Sequence, residues 1–137
     1  SHDNINGRNY DIKKYLSKIA KALLDISPRK TSLKLSTSNI ILNMDTILPI
    51  GIIVNELISN SLKHAKCLSI LILNIMISLD KNKIKLNYKD SGEVFKNAKN
   101  EFSLGVSIIE SMVKQLKGKI ERVNSAYFIT LQTKNLI

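Results

Sequence analysis

One predicted helix, residues 49–65, carries a narrow polar stripe along an otherwise apolar surface. Glu56, Asn60 and Lys63 follow one another at steps of four and three, so at about 100° per residue they share one side of the helix. The other side is apolar: Ile53, Val54, Leu57, Ile58, Leu62 and Ala65. An amide oxygen can bind Mg²⁺, a lysine can neutralise phosphate and a glutamate can accept a proton. A metal–phosphate site and an ordinary solvated helix face explain this stripe equally well.

Composition narrows the class of protein and the kind of partner. The 137 residues are 44% hydrophobic and only 5% aromatic, without Trp, which predicts one domain with a core of Ile and Leu. The net charge of +10 favours an anionic partner such as a nucleotide, although a bias towards Lys, Asn and Ile explains it as well. The lysines are scattered and lack interleaved aromatic residues, so we expect no nucleic-acid partner.

The cysteine count and the chain ends bear on location. The single cysteine, Cys67, excludes an internal disulfide or a cysteine zinc cluster and favours a cytoplasmic location. The apolar stretches 47–54 and 68–79 are too short to span a membrane, so no membrane contact is expected of this fragment. The chain starts with Ser1 and His2 rather than Met. We therefore expect residues 1–9 to be an expression remnant or flexible linker, and residues 10–137 to be one domain from a longer protein.

Hydrophobic periodicity predicts three helices and six strands. The helices are 10–26, a second one capped by Asp45 or Thr46 with Pro49 in its first turn, and 104–116, which Gly118 ends. The strands are 32–36, 39–44, 68–79, 84–88, 119–123 and 127–133, with the first two joined as a hairpin through 36–38. The order αββαββαββ predicts an α/β (α+β) fold: a two-layer sandwich in which three helices cover one face of a mixed sheet.

Two short motifs follow the striped helix. Asp90-Ser91-Gly92 ends a predicted strand, where the carboxylate can accept a hydrogen bond from the exocyclic amine of a base and the glycine lets the chain pass close by. Ser103-Leu104-Gly105 precedes a predicted helix, whose free N–H groups suit phosphate oxygens. Each motif alone is weak evidence, because the first is also an ordinary turn and the second an ordinary helix cap.

The order of these three signals resembles the N-box and the two glycine boxes of the GHKL ATPases. More narrowly, residues 48–65 and 103–118 resemble the ATPase domain of sensor histidine kinases. The resemblance extends over about residues 10–133, and the N-box is its most specific part.

This resemblance implies a Bergerat-type fold and a site for ATP and Mg²⁺. Asn60 is expected to hold Mg²⁺, Glu56 to be the polarising catalytic carboxylate, and Lys63 and His64 to approach the phosphates or ribose. Asp90 is expected to bind the adenine amine, Gly92 to let the base come close, and Ser103, Leu104 and Gly105 to offer backbone amides to the phosphates.

The function implied is the ATP-binding catalytic domain of a two-component sensor histidine kinase. In that family the phosphoacceptor histidine lies on an upstream helical domain, and the resemblance implies the same arrangement here. His2 and His64 are the only histidines of this chain. The parent protein is expected to be a homodimer that acts indirectly on a response regulator.

Three departures from the family pattern leave an alternative open. Val94 stands where a second glycine is usual, Ser125-Ala126 replaces a Gly-Thr pair, and the lid segment 93–102 is short. We expect a mobile lid and weak ATP binding. The alternative is a degenerate nucleotide-binding or regulatory GHKL domain without kinase activity.

Overall fold

A computed structural model describes residues 8–67, 69–93 and 104–133. The strands are β1 (Asn9–Asp11), β2 (Thr31–Thr37), β3 (Ile41–Asn43), β4 (Leu71–Asp80), β5 (Lys83–Asp90), β6 (Lys119–Val123) and β7 (Ala126–Gln132), and the helices are α1 (Ile12–Ile26), α2 (Met44–His64) and α3 (Leu104–Gln115). Asn9 already lies in β1, and the limits of the domain stay a prediction.

The main sheet has five strands in the order β2-β4-β5-β7-β6. β2 runs parallel to β4, with Leu35 opposite Ile75, and the other three pairs are antiparallel. The sheet is therefore mixed, as predicted. A parallel pair needs a long crossover between its strands, and here β3 and α2 supply it.

One face of this sheet carries the core. Along β4, Leu71, Leu73, Ile75 and Ile77 are buried while Asn74, Met76 and Ser78 are exposed. The buried side chains join those of the helices, such as Leu16 of α1, Ile50 of α2 and Ile109 of α3, in one aliphatic cluster. This strict alternation is what a sheet covered on one face requires, and it confirms the predicted two-layer sandwich with three helices.

The predicted hairpin between β2 and β3 is wrong. β3 instead pairs antiparallel with β1, with Tyr10 opposite Leu42, in a separate two-stranded sheet. The Ile12 amide also donates to the Ile40 carbonyl at 3.0 Å. Alternation marks a strand but does not name its partner, and the three residues of β1 are too few to show a period. The predicted first helix accordingly begins at Ile12, not at Tyr10.

Helix α2 begins earlier than predicted. The Asn43 side chain caps it by accepting from the Thr46 amide at 3.1 Å, so neither Asp45 nor Thr46 is the cap. On its other side the helix packs against α1: a Cβ atom at Gly51 would lie 2.6 Å from the Tyr15 ring. The absence of a side chain at Gly51 therefore sets how close the two helices come.

Helix α3 ends near Gly118, but for a different reason than expected. Lys117 adopts the left-handed conformation (φ 51°), and the Gly118 amide donates to the Val113 carbonyl at 2.8 Å, which is a Schellman ending. Gly118 itself is needed because a Cβ atom there would collide with the Thr130 carbonyl of β7. Among the described residues, no helix combines the length and apolarity needed to cross a membrane.

Candidate functional site

The predicted polar stripe lies where the start of α3 meets α2. Glu56 and Asn60 are half-buried in the middle of α2. A Cβ atom at Gly105 would lie 3.1 Å from Asn60 Oδ1 and 3.5 Å from Glu56 Oε2. The first turn of α3 therefore rests directly on the carboxamide and the carboxylate, and the structure brings Glu56, Asn60 and Gly105 together.

Asp90, the last residue of β5, is bound to the same helix. The Ser61 hydroxyl donates to Asp90 Oδ2 at 2.6 Å, and the Gly92 amide donates to Asp90 Oδ1 at 2.9 Å. A charged acceptor makes both hydrogen bonds stronger than neutral ones. Since Ser61 directly follows Asn60, the strand-end carboxylate and the polar stripe lie beside each other along α2.

Gly92 fits a close approach between the strand end and the end of α2. A Cβ atom there would lie 2.8 Å from the Ala65 Cβ atom and 3.1 Å from Asp90 Oδ1. Two backbone contacts fix this turn: the Ser91 amide donates to the Ile72 carbonyl at 3.0 Å, and the Glu93 amide donates to the Lys66 carbonyl at 2.8 Å. The motif Asp90-Ser91-Gly92 is thus a fixed turn that joins β4, β5 and the end of α2, and we call it the Asp90 corner.

Tyr88 completes the corner from below. Its hydroxyl lies 2.7 Å from Ser61 Oγ, and both residues are buried, Tyr88 at 2% exposure and Ser61 at 5%. Burial raises the pKa of the Tyr88 hydroxyl well above its usual value, and the charge of Asp90 acts in the same direction, while the Ser61 hydrogen bond opposes them. Tyr88 is therefore a neutral hydroxyl at physiological pH.

The other predicted site residues are exposed or lie outside the described residues. Lys63 and His64 lie exposed in the last turn of α2, and their side chains make no hydrogen bond or ion pair with the described part of the chain. Leu104 begins α3 and is 78% exposed. Ser103 and the lid from Val94 onward fall outside the described residues.

Ser125, the first residue of the departing pair Ser125-Ala126, also contacts the Asp90 corner. The Ser125 hydroxyl donates to the Asp90 backbone carbonyl at 3.4 Å. Ala126 begins β7, opposite Lys89 of β5. The segment that departs from the family pattern therefore still packs beside Asp90.

Sequence reasoning missed Ser61 and Tyr88 as part of the site. Tyr88 precedes Asp90 by two residues and so shares its side of β5, which is a usable signal. Ser61 is a hydroxyl on the buried side of α2, and a buried hydroxyl needs a partner. Neither signal shows that these two residues, 27 apart in sequence, meet each other.

The donor set suits a metal only together with an anionic ligand. No group of three or more His, Cys, Asp or Glu side chains that could hold a metal occurs in the described ranges. Asn60 and Glu56 offer an amide oxygen and a carboxylate, the oxygen ligands that Mg²⁺ takes. Mg²⁺ is commonly held by one or two protein groups plus phosphates, so the pair fits a Mg²⁺–nucleotide complex.

Comparison with known proteins points to one class. No protein-family model matches the chain. The sensor histidine kinase ComP of Bacillus subtilis (strain 168) is 33% identical over 110 residues, covering 78% of this chain and 14% of that protein.

Solved structures agree in fold. A histidine kinase domain from the Erythrobacter litoralis EL346 blue-light activated histidine kinase superposes with a TM-score of 0.77 at 19% identity, covering 97% of this chain and 65% of that one. For Acinetobacter baumannii histidine kinase AdeS the TM-score is 0.77 at 20% identity, with 93% and 68% covered. For the catalytic domain of histidine kinase ThkA it is 0.73 at 13%, with 92% and 95% covered.

Sequence and fold point to the same class of protein. In sequence the chain is related to a segment of a sensor histidine kinase, and its fold is that of histidine kinase catalytic domains. ComP and the three structural neighbours are all histidine kinases, and none of them supports the degenerate alternative. The chain spans only 14% of the length of ComP.

Proposed function

We propose that this chain binds Mg²⁺–ATP and presents its γ-phosphate to a histidine on a separate domain of its parent protein. One observation carries the proposal: a strand-end carboxylate, Asp90, is fixed by hydrogen bonds beside the helix whose stripe, Glu56 and Asn60, lies beneath the start of α3. A base-recognising acceptor and a metal–phosphate surface thus adjoin along one helix.

The base is proposed to bind at the Asp90 corner. Each carboxylate oxygen can accept two hydrogen bonds, and Ser61 and Gly92 use one on each oxygen. Further acceptor capacity is left for the amine of adenine. We propose that the base approaches the backbone at Gly92, whose amide donates to Asp90 Oδ1.

The phosphates are proposed to lie along the stripe. Asn60 Oδ1 would hold Mg²⁺, which neutralises phosphate charge when bound. Lys63 and His64 would approach the phosphates or the ribose from the last turn of α2. Backbone amides of Gly105, Leu104 and Ser103 would donate to phosphate oxygens at the positive end of the α3 dipole.

Phosphoryl transfer needs positioning and charge more than covalent chemistry from the protein. Glu56, next to Asn60 on the stripe, is proposed to polarise the transfer. The acceptor histidine is proposed to lie on an upstream helical hairpin of the parent. We further propose a cytoplasmic, homodimeric parent that signals through a response regulator.

Titration calorimetry with a non-hydrolysable ATP analogue, with and without Mg²⁺, tests the nucleotide site. We expect binding that Mg²⁺ strengthens, and loss of most of that Mg²⁺ dependence in Asn60→Ala, because the amide oxygen is the proposed ligand. The matched control is Asn55→Ala, on the same helix one residue before Glu56. If Asn60→Ala and Asn55→Ala kept the same Mg²⁺ dependence as the wild type, the stripe would not be the metal site.

Labelling with ATP carrying a γ-³²P phosphate tests the transfer step. The isolated chain should acquire no acid-labile phosphate, because His64 is proposed to sit in the nucleotide site and not in line for attack. Addition of the parent's histidine-bearing hairpin should restore labelling, and Glu56→Gln should lower it strongly. Acid-labile phosphate on the isolated chain would contradict the assignment.

A further inference from the structure

The geometry points to Ser61 as a positioning residue that, supported by the Tyr88 hydroxyl, holds the Asp90 carboxylate in the orientation that selects adenine. This inference deepens the proposed function and rests on it. It concerns three side chains from two elements, α2 and β5: Ser61 and Tyr88 are buried, and Asp90 is half-buried.

The direction of the hydrogen bonds follows from counting protons. A carboxylate can only accept, so the 2.6 Å contact between Ser61 Oγ and Asp90 Oδ2 uses the single Ser61 proton. The 2.7 Å contact between Ser61 Oγ and the Tyr88 oxygen must then use the Tyr88 proton. The three groups therefore form a relay, a chain of hydrogen bonds with one direction, in which Tyr88 donates to Ser61 and Ser61 donates to Asp90.

The hydrogen bond from Tyr88 favours one of two possible acceptors for the Ser61 proton. A serine inside a helix commonly donates to the carbonyl four residues earlier, which is Leu57 here. With the Tyr88 proton donated to its oxygen, Ser61 gains from pointing its own proton to the charged Asp90, since successive hydrogen bonds polarise one another. Tyr88 stays protonated because burial raises its pKa.

Fixing Asp90 matters because adenine and guanine differ at the recognised edge. Adenine offers an amine hydrogen to a carboxylate, whereas guanine presents a carbonyl oxygen at the equivalent ring position. Gly92 holds Oδ1 through its amide and Ser61 holds Oδ2. A carboxylate that accepts a hydrogen bond at each oxygen cannot rotate to suit a different base. Selectivity for adenine therefore comes from the fixed orientation of Asp90 as well as from its charge.

The test compares ATP with purine riboside triphosphate, which lacks only the exocyclic amine, by titration calorimetry in Mg²⁺. In the wild type we expect ATP to bind about tenfold more tightly or better, the effect of one hydrogen bond to a charged group. In Ser61→Ala the ratio should fall to about two- to threefold, and in Tyr88→Phe to an intermediate value. Ser59→Ala, on the same helix, is the control and should keep the wild-type ratio.

A double variant separates positioning from folding. Ser61→Ala/Tyr88→Phe removes both hydroxyls, so that neither is left buried without a partner, and it should fold even if Ser61→Ala does not. Its ratio should equal that of Ser61→Ala, because Tyr88 acts only through Ser61. An additive loss, or an unchanged ratio in the double variant, would overturn the relay while leaving the nucleotide site intact. A wild-type chain that binds neither nucleotide would overturn the relay and the proposed function together.

Discussion

The two ends of the candidate site are built differently, although both lie along α2. At the Asp90 corner each carboxylate oxygen already accepts a hydrogen bond from Ser61 or Gly92. At the stripe, Glu56 and Asn60 are half-buried, and their side chains make no hydrogen bond with other described residues. The corner is organised by the protein itself, whereas the polar groups of the stripe are free within the described part to meet a ligand.

This difference matches what each end is proposed to recognise. A base must be told apart from similar bases, which requires an acceptor that does not move, and order present before binding lowers the entropic cost of binding. Phosphates and Mg²⁺ bring strong charges and several ligands of their own. The protein can therefore leave Asn60 and Glu56 uncommitted, and binding supplies their partners.

The largest expected effect is the loss of ATP affinity when Asp90, the central residue of the corner, is changed. Asp90→Asn replaces an acceptor with a group that can also donate, so ATP should bind about 10- to 100-fold more weakly, and its preference over GTP should disappear. Titration with both nucleotides measures this. Asp80→Asn, an exposed carboxylate at the end of β4, should leave both affinities unchanged. Full ATP selectivity in Asp90→Asn would place the base elsewhere.

The second prediction compares the stability of the two ends. Ser61→Ala leaves the Tyr88 hydroxyl buried without a partner, which should lower the free energy of unfolding by about 1–3 kcal/mol. Asn60→Ala breaks no such bond and should change it by less than about 0.5 kcal/mol. Urea denaturation of both variants provides the measurement. Equal losses would show that the stripe is as much a part of the folded framework as the corner.

The fold was largely predictable because its signals are local. Each helix and each strand of the main sheet appears in the periodicity of its own residues, as in the alternation of β4. The error at β3 arose because strand pairing depends on contacts between distant segments: β3 pairs with β1, which precedes α1. A three-residue strand has no period to detect.

The same distinction applies to the site. Glu56 and Asn60 could be predicted as neighbours because one helix places both of them. Asp90 was a weak signal at a strand end, which the resemblance strengthened. Ser61 and Tyr88 could not be joined from the sequence, because their contact depends on how β5 packs against α2. Spacing along the chain thus predicts which residues form the stripe, because they share one helix. It does not predict the contacts of the corner, which join two elements.

The third prediction uses the raised pKa of Tyr88. In the unfolded chain the hydroxyl ionises near its ordinary pKa of about 10, while the folded protein retains the proton. The contribution of Tyr88 to stability is therefore complete below about pH 10 and falls as the pH rises further, by at most about 1.4 kcal/mol per pH unit. Urea denaturation at pH 8, 10 and 11 should show a steeper alkaline loss in the wild type than in Tyr88→Phe.

Tyr10→Phe is the control for this pH dependence, because Tyr10 lies in β1 and takes no part in the corner. It should retain the wild-type slope between pH 10 and 11. Identical slopes in the wild type and Tyr88→Phe would mean that the Tyr88 hydroxyl is not held neutral by burial.

The smallest expected effect falls on the stripe alone. In Gly105→Ala the new Cβ atom would lie 3.1 Å from Asn60 Oδ1, so the Asn60 side chain must move by a few tenths of an ångström. Nucleotide affinity should fall about two- to fivefold, equivalent to roughly 0.5–1 kcal/mol, while alanine in a helix adds a similar amount of stability. Ser107→Ala, exposed on the same helix, should leave affinity unchanged. Weaker nucleotide binding by a more stable Gly105→Ala protein would show that the stripe is arranged for ligand binding and not for stability. A loss of stability in Gly105→Ala would instead show that the stripe, like the corner, stabilises the fold.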